Sequence, residues 1–455
     1  MVRPVGTRTG AWKAGLAVAV VAAGLLWHIL ACTESPMAFS PSGKDLAFVT
    51  MEPYSHDDDL NLAGTRVYRL MVLSEGRNLR VLEETSRYML TAPAWSPDGR
   101  HIAYLRILLL EKEQRDRLKE VIEKNKGLRD QQRSALDADA WRQAPLPPAA
   151  PGAAEPEPRA PDSTEDISLP PAGPLVGWAE TQVTQPRMPA ILVIRDARTG
   201  RVVSATRTAS KPVDHEAMSF FTAYLTLRPQ YSTDGHIIYW CTGSEVVAVN
   251  PEENKQWTVV APASVAALSP DGATIAALGG SLVLCRPQDN VTVHRRIGDD
   301  DASLSGLAWV DKDTVAILRN PRGTDARLDL FRADGTPAKS IPLKLPEHET
   351  KDSNTGELAV APSGSHMVLA FGKDVFFLKM DGTILRHWKG EAEVLAQPTF
   401  TPDSRQVAMK LMTAAAKDAK EPDRASAIVF FSPDGKELSR ADVPAARLPA
   451  PAAEK

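Results

Sequence analysis

The sequence predicts an all-β protein built from repeated four-stranded antiparallel sheets that stack around a common axis. Three observations carry this prediction. A motif of the Ser-Pro-Asp-Gly type recurs seven times, each copy is flanked by alternating apolar and polar residues, and most copies precede a second hairpin pattern with its own tight turn. Alternation with a period of two is typical of strands, while Pro and Asp-Gly favour tight turns because Pro fixes φ and Gly accepts a positive φ.

The seven copies share an apolar lead-in, the turn and an apolar strand. They occupy residues 39–48, 95–104, 231–240, 268–277, 309–318, 360–371 and 400–409, and a second hairpin follows at 191–206, 328–343, 375–388 and 428–443. One four-stranded sheet cannot bury both faces alone, whereas several radially stacked sheets can. The sequence therefore predicts a seven-bladed β-propeller, with six or eight blades as alternatives. The predicted blades are 37–86, 91–207, 223–261, 263–298, 303–343, 355–390 and 392–445.

This repeat resembles the TolB-type β-propeller repeat, a relative of the WD-repeat. The resemblance covers about residues 38–445 apart from one insertion, although the copies lack the Trp-Asp end signature of true WD-repeats. It implies the propeller fold, but no particular activity, because propellers support many functions.

Residues 1–32 resemble a membrane-targeting segment that precedes the fold. Three basic residues come before a nearly unbroken apolar run at 14–31, which is the order of an export signal. The run ends in Ile-Leu-Ala-Cys, which resembles the bacterial lipobox and implies cleavage before Cys32 and lipidation of its thiol. An uncleaved hydrophobic anchor helix and a free secreted protein are the alternatives. Each outcome predicts an extracytoplasmic protein of the cell envelope, periplasmic or on the surface, and the first two predict a membrane-anchored one.

Blade two is predicted to carry a large insertion at 107–176. Residues 111–142 are rich in charge and keep rough helical spacing of apolar residues, which favours one long helix or a helix pair. The Pro/Ala-rich stretch 144–162 and the tail 446–455 are predicted to be disordered. The apolar residues of the insertion and its flanks form the candidate partner surface: Leu118, Val121, Ile122, Leu128, Trp141 and Trp178.

The long connections are predicted to share one face of the propeller. Within a blade the strands run A to D from the axis outward, so that the A–B and C–D turns lie at one end, and the B–C loops and D–A links lie at the other. The long segments are the B–C loops of blades one, two and seven, and two D–A links: 51–65, 107–190, 413–426, 208–222 and 344–355. Loops on a rigid scaffold are where binding commonly resides.

Composition and motifs favour binding over catalysis. With 53 basic and 57 acidic residues the formal charge is -4, so the sequence predicts no nucleic-acid partner. It contains no nucleophile elbow, phosphate-binding loop or His-Glu-x-x-His motif, and we expect no cofactor. Asp57, Asp58 and Asp59 are weak candidates for a Ca²⁺ site, because carboxylates at this density also occur in solvated loops.

The sequence therefore predicts a non-catalytic protein-binding or scaffolding module with an unidentified protein partner. The alternative is a propeller hydrolase or lyase with its site at the mouth of the central channel.

Two structural expectations accompany these hypotheses. Cys241 and Cys285 either form a disulfide or remain buried free thiols. Four aromatic residues at equivalent blade positions are predicted to form inter-blade core: Trp95, Tyr231, Trp309 and Phe400.

Overall fold

The structure is a computed structural model, and every element that it describes is a β-strand. The described residues are 37–52, 64–109, 187–212, 228–242, 245–261, 263, 265–279, 281–289, 291–295, 304–319, 326–346, 357–371, 374–389, 393–394, 398–412 and 426–444. Their strands form seven antiparallel sheets, each drawn from one continuous stretch of chain. The predicted seven-bladed all-β propeller is therefore confirmed.

The first three blades follow one another from the N-terminal side. Blade 1 contains β1 (Ala38–Phe39), β2 (Asp45–Glu52), β3 (Val67–Ser74) and β4 (Asn78–Thr85). Blade 2 contains β5 (Tyr88–Leu90), β6 (Ala94–Trp95), β7 (His101–Leu108), β8 (Arg187–Asp196) and β9 (Val202–Pro212). Blade 3 contains β10 (Gln230–Tyr231), β11 (Ile238–Cys241), β12 (Val246–Asn250) and β13 (Lys255–Val260).

The remaining four blades repeat the same order. Blade 4 contains β14 (Val265–Leu268), β15 (Ile275–Leu278), β16 (Leu282–Arg286) and β17 (Val291–Arg295). Blade 5 contains β18 (Leu304–Trp309), β19 (Thr314–Arg319), β20 (Arg327–Arg332) and β21 (Pro337–Pro342). Blade 6 contains β22 (Glu357–Val360), β23 (His366–Phe371), β24 (Asp374–Lys379) and β25 (Ile384–Lys389). Blade 7 contains β26 (Glu393–Val394), β27 (Thr399–Phe400), β28 (Val407–Met412), β29 (Ser426–Phe431) and β30 (Glu437–Val443).

Blade 2 differs from its expected extent. Its innermost strand is split into β5 and β6, which both pair with β7, so the sheet begins at Tyr88 rather than at residue 91. At the other end, β9 continues to Pro212, beyond the expected limit at 207. The Pro at position 93 accounts for the split, because proline cannot donate a ladder hydrogen bond.

The repeated motif folds into a turn that satisfies its own polar groups. In blade 2, the Ser96 hydroxyl donates to Asp98 Oδ1 at 2.5 Å and accepts from the His101 amide at 2.9 Å. The Arg100 amide also donates to Asp98 Oδ1, at 3.0 Å. Gly99 has φ +69°, which the tight turn requires and which glycine adopts without strain. The same serine-or-threonine to aspartate bond recurs at Ser232, Ser269 and Thr401.

Among the strands that the structure describes, no blade borrows a strand from another, so the ring closes by packing. The innermost strand of blade 1 contacts those of blades 2 and 7, and the Thr399 hydroxyl of blade 7 donates to the Met37 carbonyl at 3.1 Å. Met37 and Phe48 of blade 1 share one buried cluster with Ile428 and Phe430 of blade 7. The first and last blades therefore bury a continuous apolar interface, as any other adjacent pair does.

The core lies between the blades, on both faces of every sheet. Trp95 Nε1 donates to the Ala38 carbonyl of blade 1 at 2.9 Å, and Trp309 Nε1 donates to the Ala267 carbonyl of blade 4 at 2.9 Å. Tyr231 packs on the cluster that joins blades 1 to 3, and Phe400 lies in the cluster between blades 6 and 7. The predicted inter-blade role of these four aromatic residues is confirmed.

The two described cysteines are not joined by a disulfide. Cys241 on β11 and Cys285 on β16 lie in the same buried cluster between blades 3 and 4. Of the two alternatives that the sequence left open, the structure has the buried thiols without a disulfide.

Candidate interaction face

We call the two ends of the propeller the turn face and the loop face. The turn face carries the A–B and C–D turns of all blades. The loop face is the opposite end, where segments 53–63, 110–186 and 413–425 leave and re-enter the described structure. These segments connect the second and third strands of blades 1, 2 and 7, which are neighbours in the ring. The strand residues that flank each segment pair with one another across the sheet: Glu52 with Val67, Ile107 with Ala190, and Met412 with Ser426.

A buried arginine fixes the loop-face end of blade 1 to the end of blade 7. Arg69 Nη2 lies 2.6 Å from Glu52 Oε1 and donates to the Pro444 carbonyl at 2.5 Å, while Arg69 Nε donates to Thr50 Oγ1 at 3.3 Å. The Arg69 side chain is only 5% exposed. Charge-assisted hydrogen bonds at such distances are stronger than neutral ones, so this contact holds two insertion-bearing blades in a fixed relation.

A second buried cluster joins blade 1 to blade 2. Glu83 of β4 lies 2.7 Å from Arg106 Nε and 2.8 Å from Arg195 Nη2, and all three side chains are less than 8% exposed. Tyr104 donates its hydroxyl to Glu83 and accepts from Arg195 Nε at 2.7 Å. Burial, with the nearby Glu83 carboxylate, raises the pKa of Tyr104, so its phenol stays protonated and remains a donor.

Further polar contacts extend this support along the outer strands. Arg80 of β4 donates to the carbonyls of Ala197 and Arg198, at 2.6 and 2.5 Å, in the outer turn of blade 2. Thr208 of β9 donates to Gln256 Oε1 of blade 3 at 2.6 Å. Blades 7, 1, 2 and 3 are therefore cross-linked by polar contacts in addition to their apolar interfaces. This arrangement cross-links the three blades whose strand ends border segments 53–63, 110–186 and 413–425.

The sequence-predicted site residues lie outside the described residues. This applies to Cys32, to Asp57, Asp58 and Asp59, and to the candidate partner surface of Leu118, Val121, Ile122, Leu128, Trp141 and Trp178. What the structure gives is the position of the strand ends that flank them. Among the residues that the structure describes, no group of His, Cys, Asp and Glu side chains could hold a metal ion. No helix in that same part of the chain is long and apolar enough to cross a membrane.

The buried charges were missed by sequence reasoning, although the sequence carries a signal for them. Arg69 and Arg106 each stand inside a run of apolar strand residues, and Arg195 directly follows one, so an exposed charge would interrupt the pattern. A charge in such a run predicts a buried partner. The sequence does not say which carboxylate supplies it, because Glu83 lies on an outer strand among other polar residues.

No protein-family model matches the chain, and no curated protein matches it. The chain is similar to a structure from a study of two prolyl endopeptidases, with 13% identity, a TM-score of 0.47, and coverage of 95% of this chain and 53% of that one. It thus spans about half the length of that endopeptidase chain. It is also similar to the Myceliophteria thermophila Cps50 (Swd1) β-propeller domain, with 14% identity, a TM-score of 0.39, and coverage of 57% and 83%. A eukaryotic initiation factor structure matches with 12% identity, a TM-score of 0.38, and coverage of 90% and 87%. At these identities the likenesses concern the fold alone and leave activity open.

Proposed function

We propose that this protein is a membrane-tethered, extracytoplasmic β-propeller that binds a protein partner through its loop face without catalysing a reaction. One observation carries the proposal: the long connections of three adjacent blades, 7, 1 and 2, begin and end at the same face of the ring. Random drift would distribute insertions around the ring and over both faces, since surface loops tolerate insertion readily.

The buried charged residues support this proposal because they hold neighbouring blades in fixed relative positions. Arg69 fixes blade 7 to blade 1, and Glu83 fixes blade 1 to blade 2, so the three insertion-bearing blades form one base. A rigid base reduces the conformational entropy that would otherwise be lost when loops bind a partner. In this proposal the apolar residues at 118–128, with Trp141 and Trp178, contact the partner.

The tether follows from the sequence at 1–32 and the start of the fold. Cys32 lies five residues before Met37, where the described structure begins on the loop-face side of β1. Five extended residues span at most about 18 Å. A lipid on Cys32, or an anchor helix ending there, would therefore hold the loop face close to the membrane surface.

The test is in-cell crosslinking with mass spectrometry on the full-length chain and on a variant in which residues 111–175 are replaced by a short Gly-Ser linker. Because Ile107 pairs directly with Ala190, the shortened connection can still join β7 to β8. We expect the variant to fold and to lose the partners that the full-length chain captures. Arg405→Glu on the turn face is the matched control and should keep them. Identical partners in all three proteins would contradict the proposal.

The tether has a separate test in globomycin treatment, which blocks lipoprotein signal cleavage. We expect the mature mass to shift when cells are treated. An unchanged mass would exclude lipidation of Cys32 and favour the anchor or the secreted alternative.

A further inference from the structure

Among the strands that the structure describes, β9 of blade 2 is the longest outermost strand. It has 11 residues, whereas the outermost strands of the other blades have five to eight. One edge of β9 pairs with β8, and no described strand pairs with the other edge. Such an edge presents a row of backbone N–H and C=O groups with which another extended chain can pair.

The other outermost strands carry features that discourage such pairing. Short length, charged side chains, prolines and β-bulges are the usual protection of a sheet edge. β17 has only five residues, β21 begins and ends with proline, and β4 is interrupted by a bulge. Three titratable side chains lie on β25 and three on β30: Arg386, His387 and Lys389, and Glu437, Arg440 and Asp442.

The central part of β9 lacks these features. Its register with β8 shifts next to Pro189 and between Ile194 and Arg195, so the bulges lie at the two ends and residues 204–209 pair without interruption. This stretch contains no proline and one charged residue, Arg207. It therefore offers a regular, sparsely charged edge on the outside of the ring.

The position of Arg207 gives one side of this edge a positive charge. Arg207 lies on the side of the hairpin that carries Arg195, which binds Glu83 of blade 1, so it lies on the side that faces blade 1. Thr208 lies on the opposite side, where its hydroxyl donates to a side chain of blade 3. The side chains of an added strand would alternate between these two sides in the same way.

The carboxylates of the surrounding strands are committed elsewhere. Glu83 is held in the buried cluster between blades 1 and 2. Glu84 pairs across its sheet with Arg69, on the side of blade 1 that faces blade 7. In the turn before β9, Asp196 Oδ1 accepts from the amide and the hydroxyl of Thr199, at 2.6 and 2.8 Å. The outer hairpin of blade 2 thus presents positive charge to its surroundings.

We infer that the outer edge of β9 binds an extended segment of a partner protein that carries acidic side chains at alternate positions. The backbone of the segment pairs with residues 204–209, and its acidic side chains lie beside Arg207. Charge complementarity selects this occupant, because Arg198, Arg201 and Arg207 are all exposed. In strand addition, main-chain hydrogen bonds supply affinity and alternate side chains supply specificity. This surface lies on the outside of the ring and is independent of the partner proposed for the loop face.

The test measures the binding of short labelled peptides to the purified full-length chain by fluorescence anisotropy. One peptide alternates glutamate and threonine, and a second has lysine in place of glutamate. Two isomers of the first are methylated at the backbone nitrogens of either the glutamates or the threonines. We expect saturable binding of the acidic peptide and none of the basic one. Only alternate amides of an added strand face β9, so at least one methylated isomer should lose binding, and retention by both would overturn the inference.

A charge reversal tests the role of Arg207. Arg207→Glu should weaken binding of the acidic peptide by about tenfold or more, since a hydrogen bond to a charged group contributes at least that factor, and should allow the basic peptide to bind. Arg386→Glu is the matched control, because Arg386 is an exposed arginine on the outermost strand of blade 6, and it should change neither affinity. Circular dichroism verifies that both variants are folded. Equal weakening by the two substitutions would indicate general electrostatic attraction and would overturn the inference.

The same assay distinguishes two other occupants of the edge. A dimer in analytical ultracentrifugation that dissociates when the acidic peptide is added would assign the edge to a second copy of this chain. Peptide binding that appears only after residues 111–175 are replaced by a Gly-Ser linker would assign the edge to a segment of this chain. Either result would overturn the inference, and neither bears on the loop-face partner, which the crosslinking experiment tests separately.

Discussion

At the scale of single residues, the buried charges are the least replaceable groups between blades 1 and 2. Glu83 is one carboxylate shared by the guanidiniums of Arg106 and Arg195, in a region with almost no solvent. A buried ionic cluster of this kind is not by itself strong evidence that the fold is stabilised, because the cost of desolvating the charges offsets much of their attraction. Removing one member of the cluster destabilises the fold, because the remaining charges stay buried without a partner of opposite charge.

Replacing Glu83 by Gln should therefore destabilise the fold by about 3 kcal/mol or more, the usual cost of breaking a buried pair from one side. Chemical denaturation of the purified protein measures the change in unfolding free energy. Glu84→Gln is the matched control, because Glu84 is the next residue on β4 and is exposed; its effect should stay within about 0.5 kcal/mol. Equal effects of the two substitutions would show that the Glu83 cluster does not stabilise this interface.

At the scale of elements, the A–B turns connect local sequence to ring assembly. Where an A–B turn contains a glycine, that glycine lies against the turn of the preceding blade: a Cβ atom at Gly99 would lie 3.6 Å from Pro41, and one at Gly43 would lie 3.4 Å from Pro402. The contact between Gly43 and Pro402 closes the ring from blade 7 to blade 1. The motif therefore specifies both a hairpin and the surface on which the next hairpin packs.

The turn aspartates predict how stability depends on pH. Hydrogen bonds from Ser96, Ser269 and Thr401 are the main cause that lowers the pKa values of Asp98, Asp271 and Asp403 below their ordinary value. A carboxyl with a lowered folded pKa stabilises the fold fully above its ordinary pKa, and this stabilisation disappears as pH falls through the folded pKa. We therefore expect stability to fall as pH drops below about 5.

A triple substitution tests this expectation. The variant D98N/D271N/D403N keeps an acceptor oxygen in each turn but removes the charge. It should be less stable than the native chain at pH 7, and the difference should shrink as both are acidified, as followed by urea denaturation. A control with three exposed carboxyl groups outside the motif bonds replaced, E84Q/D289N/D442N, should keep the native pH dependence. A pH-independent difference for the first variant would contradict the assignment.

At the scale of the whole molecule, the ring closes by packing, and we therefore expect stability not to depend on the point at which the chain is opened. None of the described sheets contains strands from two blades, and Met37 and Val443 meet in one buried cluster at the junction of blades 1 and 7. A circular permutant that joins residue 444 to residue 37 and opens the chain between Arg295 and Leu304 splits no sheet.

This permutant should fold and unfold in one cooperative transition, with a midpoint close to that of the native chain. Calorimetry and near-ultraviolet circular dichroism measure both properties. As a control, deletion of 426–444 removes Ile428 and Phe430 from the closing interface and exposes Phe48 of blade 1, so that cooperativity should be lost. A permutant that does not fold would mean that stability depends on the native chain order.

The sequence alone predicted the number of blades, the order of strands in each blade and the end of the ring at which the long connections leave and re-enter the blades. It could do so because turns and alternation are local: Ser96, Asp98 and Gly99 satisfy one another within a few residues, and the strand period is visible in the chain. It also placed Trp95 and Trp309 between blades, because an aromatic residue at the same position of each repeat meets the same neighbour.

The contacts between residues of different blades could be read only from the folded ring. Glu83 and Arg195 are more than 100 positions apart, and Arg69 meets Pro444 across the closing junction. No local pattern specifies such pairs, because their distance depends on the radius and closure of the ring.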